Sequence, residues 1–264
     1  MPQATEFDDT NLTLKLAQNS MSFNHDSLPM EAVEVARHCF LDWLGVTLAG
    51  STEPLTRILL EDAISAGGNP QATIIGDGRK VSMQQAALVN GSAGHALDND
   101  DVHLLMPGHP TVPVVPALLA LAEHQGRGGK DFLTALVAGV EAECRVGTVM
   151  NQSHYGAGWH ATGTVGTFGA VAAAARLLGL DGEACANAMG IGGTQAAGLR
   201  SMFGTMCKPF HAGKAAVNGL SAALLSERGF ESRSDVLECE QGFACPKIAT
   251  EMCNSLEFNI SDFI

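Results

Sequence analysis

The sequence predicts an all-α fold, a mostly helical main domain with little sheet, on three observations. Apolar residues recur at three- and four-residue spacing along most of the chain. Ser, Thr and Pro stand where these stretches begin, as N-caps and first-turn residues do. Many inward positions are Ala or Gly, as in AVAAAARLLG and GKAAVNGLSAALL, and small residues let helices pack at short interaxial distances.

Taken in order, residues 1–26 are polar and read as an N-terminal arm or a short first helix. From Ser27 the pattern is helical: Ser27 caps, Pro29 suits a first turn, and Val33, Ala36, Phe40, Trp43, Leu44 and Leu48 form one face up to Gly50. A second helix is expected over 55–66. The stretch Ala72–Ile75 is a short β-like piece closed by a turn at Gly76-Asp77-Gly78. Further helices are expected over 82–97, 112–125, 130–150, 163–178, 182–190 and 210–228, with starts at Ser82, Thr111, Thr162 and Pro209. No period of 20–50 residues repeats, which argues against a solenoid. The expected layout is therefore an arm over 1–26, one helical domain over 27–230, and an unfinished tail over 231–264.

Composition narrows the partners. An apolar fraction of 46% with 16% charged residues belongs to a folded globular chain. The formal charge is 15 − 28 = −13, and there are only 1 Tyr and 2 Trp. That field repels polyanions and offers no aromatic platform, so neither nucleic acid nor an anionic membrane surface is expected as a partner. A small anion remains a reasonable ligand, because a few local cations outweigh distant charge screened beyond about 10 Å. The seven cysteines are scattered and lack CxxC spacing, as in a reduced intracellular protein. The acidic start MPQATEFDDTNLTLK resembles neither a signal nor a transit peptide. A cytoplasmic location is expected, with a mitochondrial one left open. No apolar run approaches the roughly 18 residues of a membrane span.

Three segments carry the candidate chemistry. HALDNDDVHLLMPGHPTVP holds His95, Asp98, Asp100, Asp101, His103 and His109; GAGWHATGTVG holds His160; GTMCKPFHAGK holds Lys208, His211 and Lys214. His109, His160 and Lys208 each stand in a Gly- or Pro-marked turn just before an expected helix start. Helix amino ends expose unpaired N–H groups and favour anions. Three cationisable side chains beside such ends form a carboxylate-binding constellation if the helices converge. The Asp/His cluster has two other readings: ligands for a divalent metal in a hydrolase, or solvated acids at a helix end. In a middle reading, Asp98 orients and charges a histidine. Cys207 beside Lys208 reads as an inert thiol rather than a nucleophile.

At these segments the chain resembles the MmgE/PrpD family, which includes 2-methylcitrate dehydratase, cis-aconitate decarboxylase and iminodisuccinate epimerase. The matching stretches are ALVNGSAGHALDNDDVH with GHPTVPVVPALLALAE, then GWHATGTVGTFGAVAAAARLLGL, then FGTMCKPFHAGKAAVNGLSAALLSERGF, and similarity runs from Ser27 to Phe230. The resemblance implies a helical main domain, a homodimer, and catalysis with no metal and no cofactor. Its active-site positions fall on Asp98, His109, His160 and Lys208, with Lys208, His211 and His103 as candidates to hold the substrate. Val102 stands where the family often has Thr. The family continues into an α+β lid domain, and that lid is missing from the expected layout because the chain ends where it would begin.

The chemistry so implied is removal of a proton next to a carboxylate, or loss of CO2 with reprotonation of the carbon. Fixed cations stabilise the developing charge and a histidine moves the proton. The leading expectation is a lyase dehydrating a 2-methylcitrate-like polycarboxylate. The alternatives are cis-aconitate decarboxylation, iminodisuccinate epimerisation, or a lid-less, catalytically impaired binding or dimer-partner subunit.

Overall fold

A computed structural model describes residues 11–244. Among the described residues nine α-helices make up the body: α1 (Leu12–Ser22), α2 (Met30–Gly50), α3 (Pro54–Ala66), α4 (Met83–Gly94), α5 (Thr111–Gln125), α6 (Gly129–Gly156), α7 (Ala161–Leu178), α8 (Gly182–Gly193) and α9 (Cys207–Glu227). Between α3 and α4, β1 (Ala72–Thr73) pairs antiparallel with β2 (Lys80–Val81), Ala72 facing Val81. The sheet is this one small ribbon among the described residues, so the fold is all-α as the periodicity predicts.

Local signals account for the boundaries. Ser82 caps α4 in a reciprocal capping box with Gln85. Pro54 occupies the first turn of α3. Gly126 and Gly179 end α5 and α7 in the left-handed conformation that glycine takes without a Cβ penalty. The helix expected over 130–150 runs on to Gly156, because nothing in VGTVMNQSHYG breaks it. Ser27 lies in a short 3-10 turn, His25–Ser27, and α2 begins after Pro29.

α7 is the central helix. Every residue in it except Arg176 and Leu178 is buried, and it lies against α5, α6, α8 and α9. Contrary to the expectation that no such run exists, its 18 residues are long and apolar enough to cross a bilayer, with a mean hydropathy of 1.2. Within the fold 89% of that stretch is buried by other helices, the position of a core helix. Glycine and alanine make this crowding feasible. A Cβ on Gly219 of α9 would lie 2.4 Å from Ala170 Cβ, and one on Gly213 would lie 2.4 Å from the Leu88 carbonyl oxygen of α4.

The helical body reaches further toward both termini than the expected layout. Leu12, Leu16 and Ala17 form an apolar stripe that buries α1 against α8 and α6. The Thr13 hydroxyl donates to Glu238 Oε2 at 2.5 Å and accepts from Leu237 N–H at 3.0 Å, with Leu237 and Ala244 buried. The short-helix reading of the N-terminal segment thus describes 12–22, and the start of the tail packs on it. Residues 1–10 of the expected arm and 245–264 of the expected tail lie outside the described residues.

The Gly213 contact is testable. Gly213→Ala adds a methyl to a backbone–backbone approach, at a cost of about 1–3 kcal/mol of strain, which outweighs the helix propensity gain of about 1 kcal/mol. Chemical denaturation should show a net loss of stability; a gain would mean that α4 and α9 separate freely.

Candidate active site

α4 ends at Gly94, and His95 is its C-cap. Three residues on, Asp98 takes a left-handed backbone, φ 57°, which Asp tolerates better than most side chains. The chain turns there and runs through Asp100, Asp101 and a loop closed by a bridge between His103 and Gly108 before entering α5. His109 N–H donates to the Thr162 hydroxyl at 3.1 Å, which fastens this loop to the first turn of α7.

One carboxylate organises the loop. The Asp100 side chain is 1% exposed, whereas that of Asp98 is 58% exposed. His95 Nδ1 lies 3.0 and 2.9 Å from the two Asp100 oxygens, and His109 Nδ1 lies 3.3 Å from one of them. Burial alone would raise the Asp100 pKa, but the hydrogen bonds and charges of His109 and His95 hold it well below the usual carboxylate range. Burial opposes charge on His109 too, yet Asp100 and then Asp98 raise its pKa above the ordinary imidazole value. The buried aspartate that orients and charges a histidine is therefore Asp100. The sequence reading had given that task to Asp98, since nothing in the DNDD run marks which acid faces inward.

Asp98 faces the opening instead. It accepts a hydrogen bond from Lys208 Nζ at the start of α9, and one of its oxygens lies 3.5 Å from His109 Nε2. Burial raises the Asp98 pKa, and the bond and charge of Lys208 more than offset this, so the net shift is downward. Lys208 Nζ also sits 5.1 Å from the centre of the Phe203 ring.

His160 caps α7 from a buried position. Its ring stacks on His95 at 5.6 Å, meets Phe203 edge-on at 5.0 Å, and places Nδ1 3.1 Å from His211 Nδ1. One of these facing nitrogens donates and the other accepts. Burial, then the positive charges of His95, His211 and Lys208, push the His160 pKa down to about 2. The His211 pKa is lowered by burial and by His95. The pocket thus sets apart a histidine whose proton affinity is raised, His109, from one whose proton affinity is strongly lowered, His160.

Asp98, His109, His160, Lys208 and His211 stand together, so the helices meet the condition of convergence that the sequence leaves open. His103 does not join them: its Nδ1 accepts from Leu105 N–H inside its own loop, and no bond or ring contact among the described residues links it to the cluster. Lys214 is exposed on α9. The helix amino ends contribute less than expected. Thr111 N–H and its hydroxyl both donate to Asp101, and Cys207 N–H donates to the Thr205 hydroxyl, so α5 and α9 are capped from within. The cationic groups that the site presents are therefore mainly side chains, Lys208 and His109. The sequence offers His95 and Asp100 only as metal ligands or solvated acids, and their pairing is not marked in it; their spacing of five residues across a helix end carries no recognisable period.

His95, Asp98, Asp100 and His109 bring ligating atoms within 4.8 Å of one another, a spacing a divalent ion tolerates. Asp100 is, however, shared by two imidazoles, and the Lys208 ammonium occupies Asp98. A metal would have to displace a cation from its own ligand, so the donor set fits a hydrogen-bonded charge network better.

The Asp100 network sets a pH dependence. Asp100 has a lowered folded pKa, so its contribution is present above about pH 4 and fades as acid titrates it. His109 has a raised one, so its contribution is present below about pH 6.5 and is lost as pH rises through the folded value. Asp100→Asn should cost about 3 kcal/mol near pH 6, as breaking a buried pair does. The deficit should narrow below pH 4. A deficit independent of pH in denaturation curves would refute the pairing.

Residues 14–247 match the family model for the MmgE/PrpD N-terminal domain. The cis-aconitate decarboxylase-like protein oryM of Aspergillus oryzae is 34% identical over 245 residues, covering 88% of this chain and 50% of that protein. The cis-aconitate decarboxylase of Aspergillus terreus is 30% identical over 240 residues, 88% of this chain and 49% of the relative. That of Homo sapiens is 32% identical over 217 residues, 80% and 45%. The chain spans about half the length of these curated relatives. With its helical core and its histidine, lysine and aspartate segments in place, the chain belongs to the MmgE/PrpD family.

Proposed function

We propose that this chain binds a small tricarboxylate of the cis-aconitate class at the Asp98–His109–Lys208 face and serves a lyase reaction there. One observation carries the reading: an ammonium and an imidazole of raised pKa are gathered on a single exposed carboxylate, Asp98, at the edge of a cavity of about 390 Å³ lined in part by His95, Asp98, Thr205, Met206 and Lys208. A substrate carboxylate offers the same two cations the same charge and geometry. The Asp98 side chain is 58% exposed, so an acid group can approach the same two cations from solvent. A homodimer and a metal-independent reaction remain parts of the proposal.

The relatives are named for decarboxylation of cis-aconitate, which moves the preferred substrate from a methylcitrate-like acid to a cis-aconitate-like one. In that reaction the bond to the departing CO2 breaks, and its electron pair moves into a new double bond. The carbon at the far end of the allylic system, next to a carboxylate, then takes a proton. Lys208 holds a carboxylate and offsets the charge that develops beside it. His109 carries the proton to be delivered, as its raised pKa suits. Neutral His160 is placed to accept or donate a hydrogen bond without adding a second cation.

Calorimetric titration of the purified chain, with product analysis by carbon NMR, tests the proposal. Lys208→Ala and His109→Ala should each weaken cis-aconitate binding about tenfold or more, the worth of one hydrogen bond to a charged group. Unchanged affinity in both variants would overturn the site. A product that keeps every substrate carbon and gains water would overturn decarboxylation and favour a hydration–dehydration reaction at the same place.

A further inference from the structure

His95 belongs to the cluster yet has no part in the reaction just described. Its side chain is fully buried, and its Nδ1 is engaged with both oxygens of Asp100. The other ring nitrogen, Nε2, has no hydrogen-bond partner among the described residues. An orphaned buried polar atom costs about 1–3 kcal/mol, and an apolar side chain would fill the same space without that cost. Packing alone does not account for a histidine here.

Its neighbours define what it can do. The His109 ring meets His95 edge to face, with centroids 4.6 Å apart and planes at 64°, and His160 stacks on it with planes at 19°. The groups facing this pair of rings are Asp98 and Asp100 from the loop after α4, His160 from the start of α7, and Lys208 and His211 from α9. Asp100 is gripped through both oxygens by His95 and so has little freedom to rotate. One of those oxygens is left facing His109 Nδ1 at 3.3 Å, and the Asp100 backbone carbonyl faces the same nitrogen at 3.3 Å. Two acceptors on one nitrogen settle which nitrogen carries the proton when His109 is neutral. His109 Nε2 is then the one turned to Asp98, Lys208 and the opening.

We propose that His95 is a positioning residue: through Asp100 it fixes the orientation and tautomer of His109, and so selects Nε2 as the nitrogen that meets the substrate. The pair works as a buried bracket. His95 Nδ1 holds the carboxylate through both oxygens, and no second partner on Nε2 draws the ring away from it. The catalytic consequence rests on His109 being the proton carrier proposed above; the tautomer does not.

The test uses two amides of different reach. Asn places its amide nitrogen near the position of a histidine Nδ1, and Gln places it near Nε2. Nitrogen-15 NMR of the ligand-free chain, recorded above the His109 titration, should show one His109 tautomer with the proton on Nδ1 in wild type and in His95→Asn. In His95→Gln it should show a mixture of both. With cis-aconitate, His95→Gln should lower kcat about 10- to 100-fold, as a misplaced catalytic group does. KM should change by less than about twofold, and His95→Asn should restore most of the rate. A His95→Gln spectrum and kcat equal to wild type would overturn the proposal, as would equal losses in the two variants. If the chain turns over no substrate, the spectra alone decide the tautomer, so failure of the reaction and failure of the bracket are told apart. If His95→Gln does not fold, Asp100→Asn against His95→Asn gives the same contrast.

Discussion

A single buried carboxylate, Asp100, holds the candidate site together. Burial there disfavours its charged form, and the hydrogen bonds and charges of two imidazoles more than offset that. Withdraw that charge and three things change together: His95 loses the acceptor for its buried Nδ1, His109 loses the cause of its raised pKa, and the loop between α4 and α5 loses its anchor. The arrangement is a charge network in which each group's protonation state is set by the others. Its outer member, Asp98, is exposed and paired with Lys208, so the network has a fixed interior and an exchangeable edge.

That network forms only because the helices carrying it come unusually close. His95 closes α4, His109 precedes α5, His160 caps α7, and Lys208 and His211 lie in the first turns of α9. These four helices are packed on one another through glycine and alanine, with Gly91 of α4 facing Gly213 of α9, and Gly219 of α9 facing Ala170 of α7. Larger residues at those points would push the helices apart and move the imidazoles out of contact. The high glycine content, 30 of 264 residues, thus has a functional consequence.

Much of this was readable before any coordinates. The helices, the small-residue seams and the three chemistry-bearing segments follow from period, caps and composition, because those signals are local. Which acid of Asp98, Asp100 and Asp101 turns inward was not readable. It depends on the left-handed turn at Asp98 and on the first turn of α7 meeting the loop, and both are tertiary facts. The internal capping of α5 by Asp101 was hidden for the same reason, as was the stripe Leu12, Leu16 and Ala17, masked by polar neighbours until α8 covers it. His103 is a candidate substrate-binding residue in the sequence, yet a local bond to Leu105 keeps it in its own loop.

The central claim is that Lys208 and His109 form one receptor for an acid group, held in place by Asp100 from behind. A crystal structure of this chain soaked with cis-aconitate examines it most directly. The account predicts a substrate carboxylate about 2.7–3.2 Å from both Lys208 Nζ and His109 Nε2, with Asp98 displaced and Asp100 unmoved. A ligand bound elsewhere on the molecule, or one touching neither cation, would contradict it.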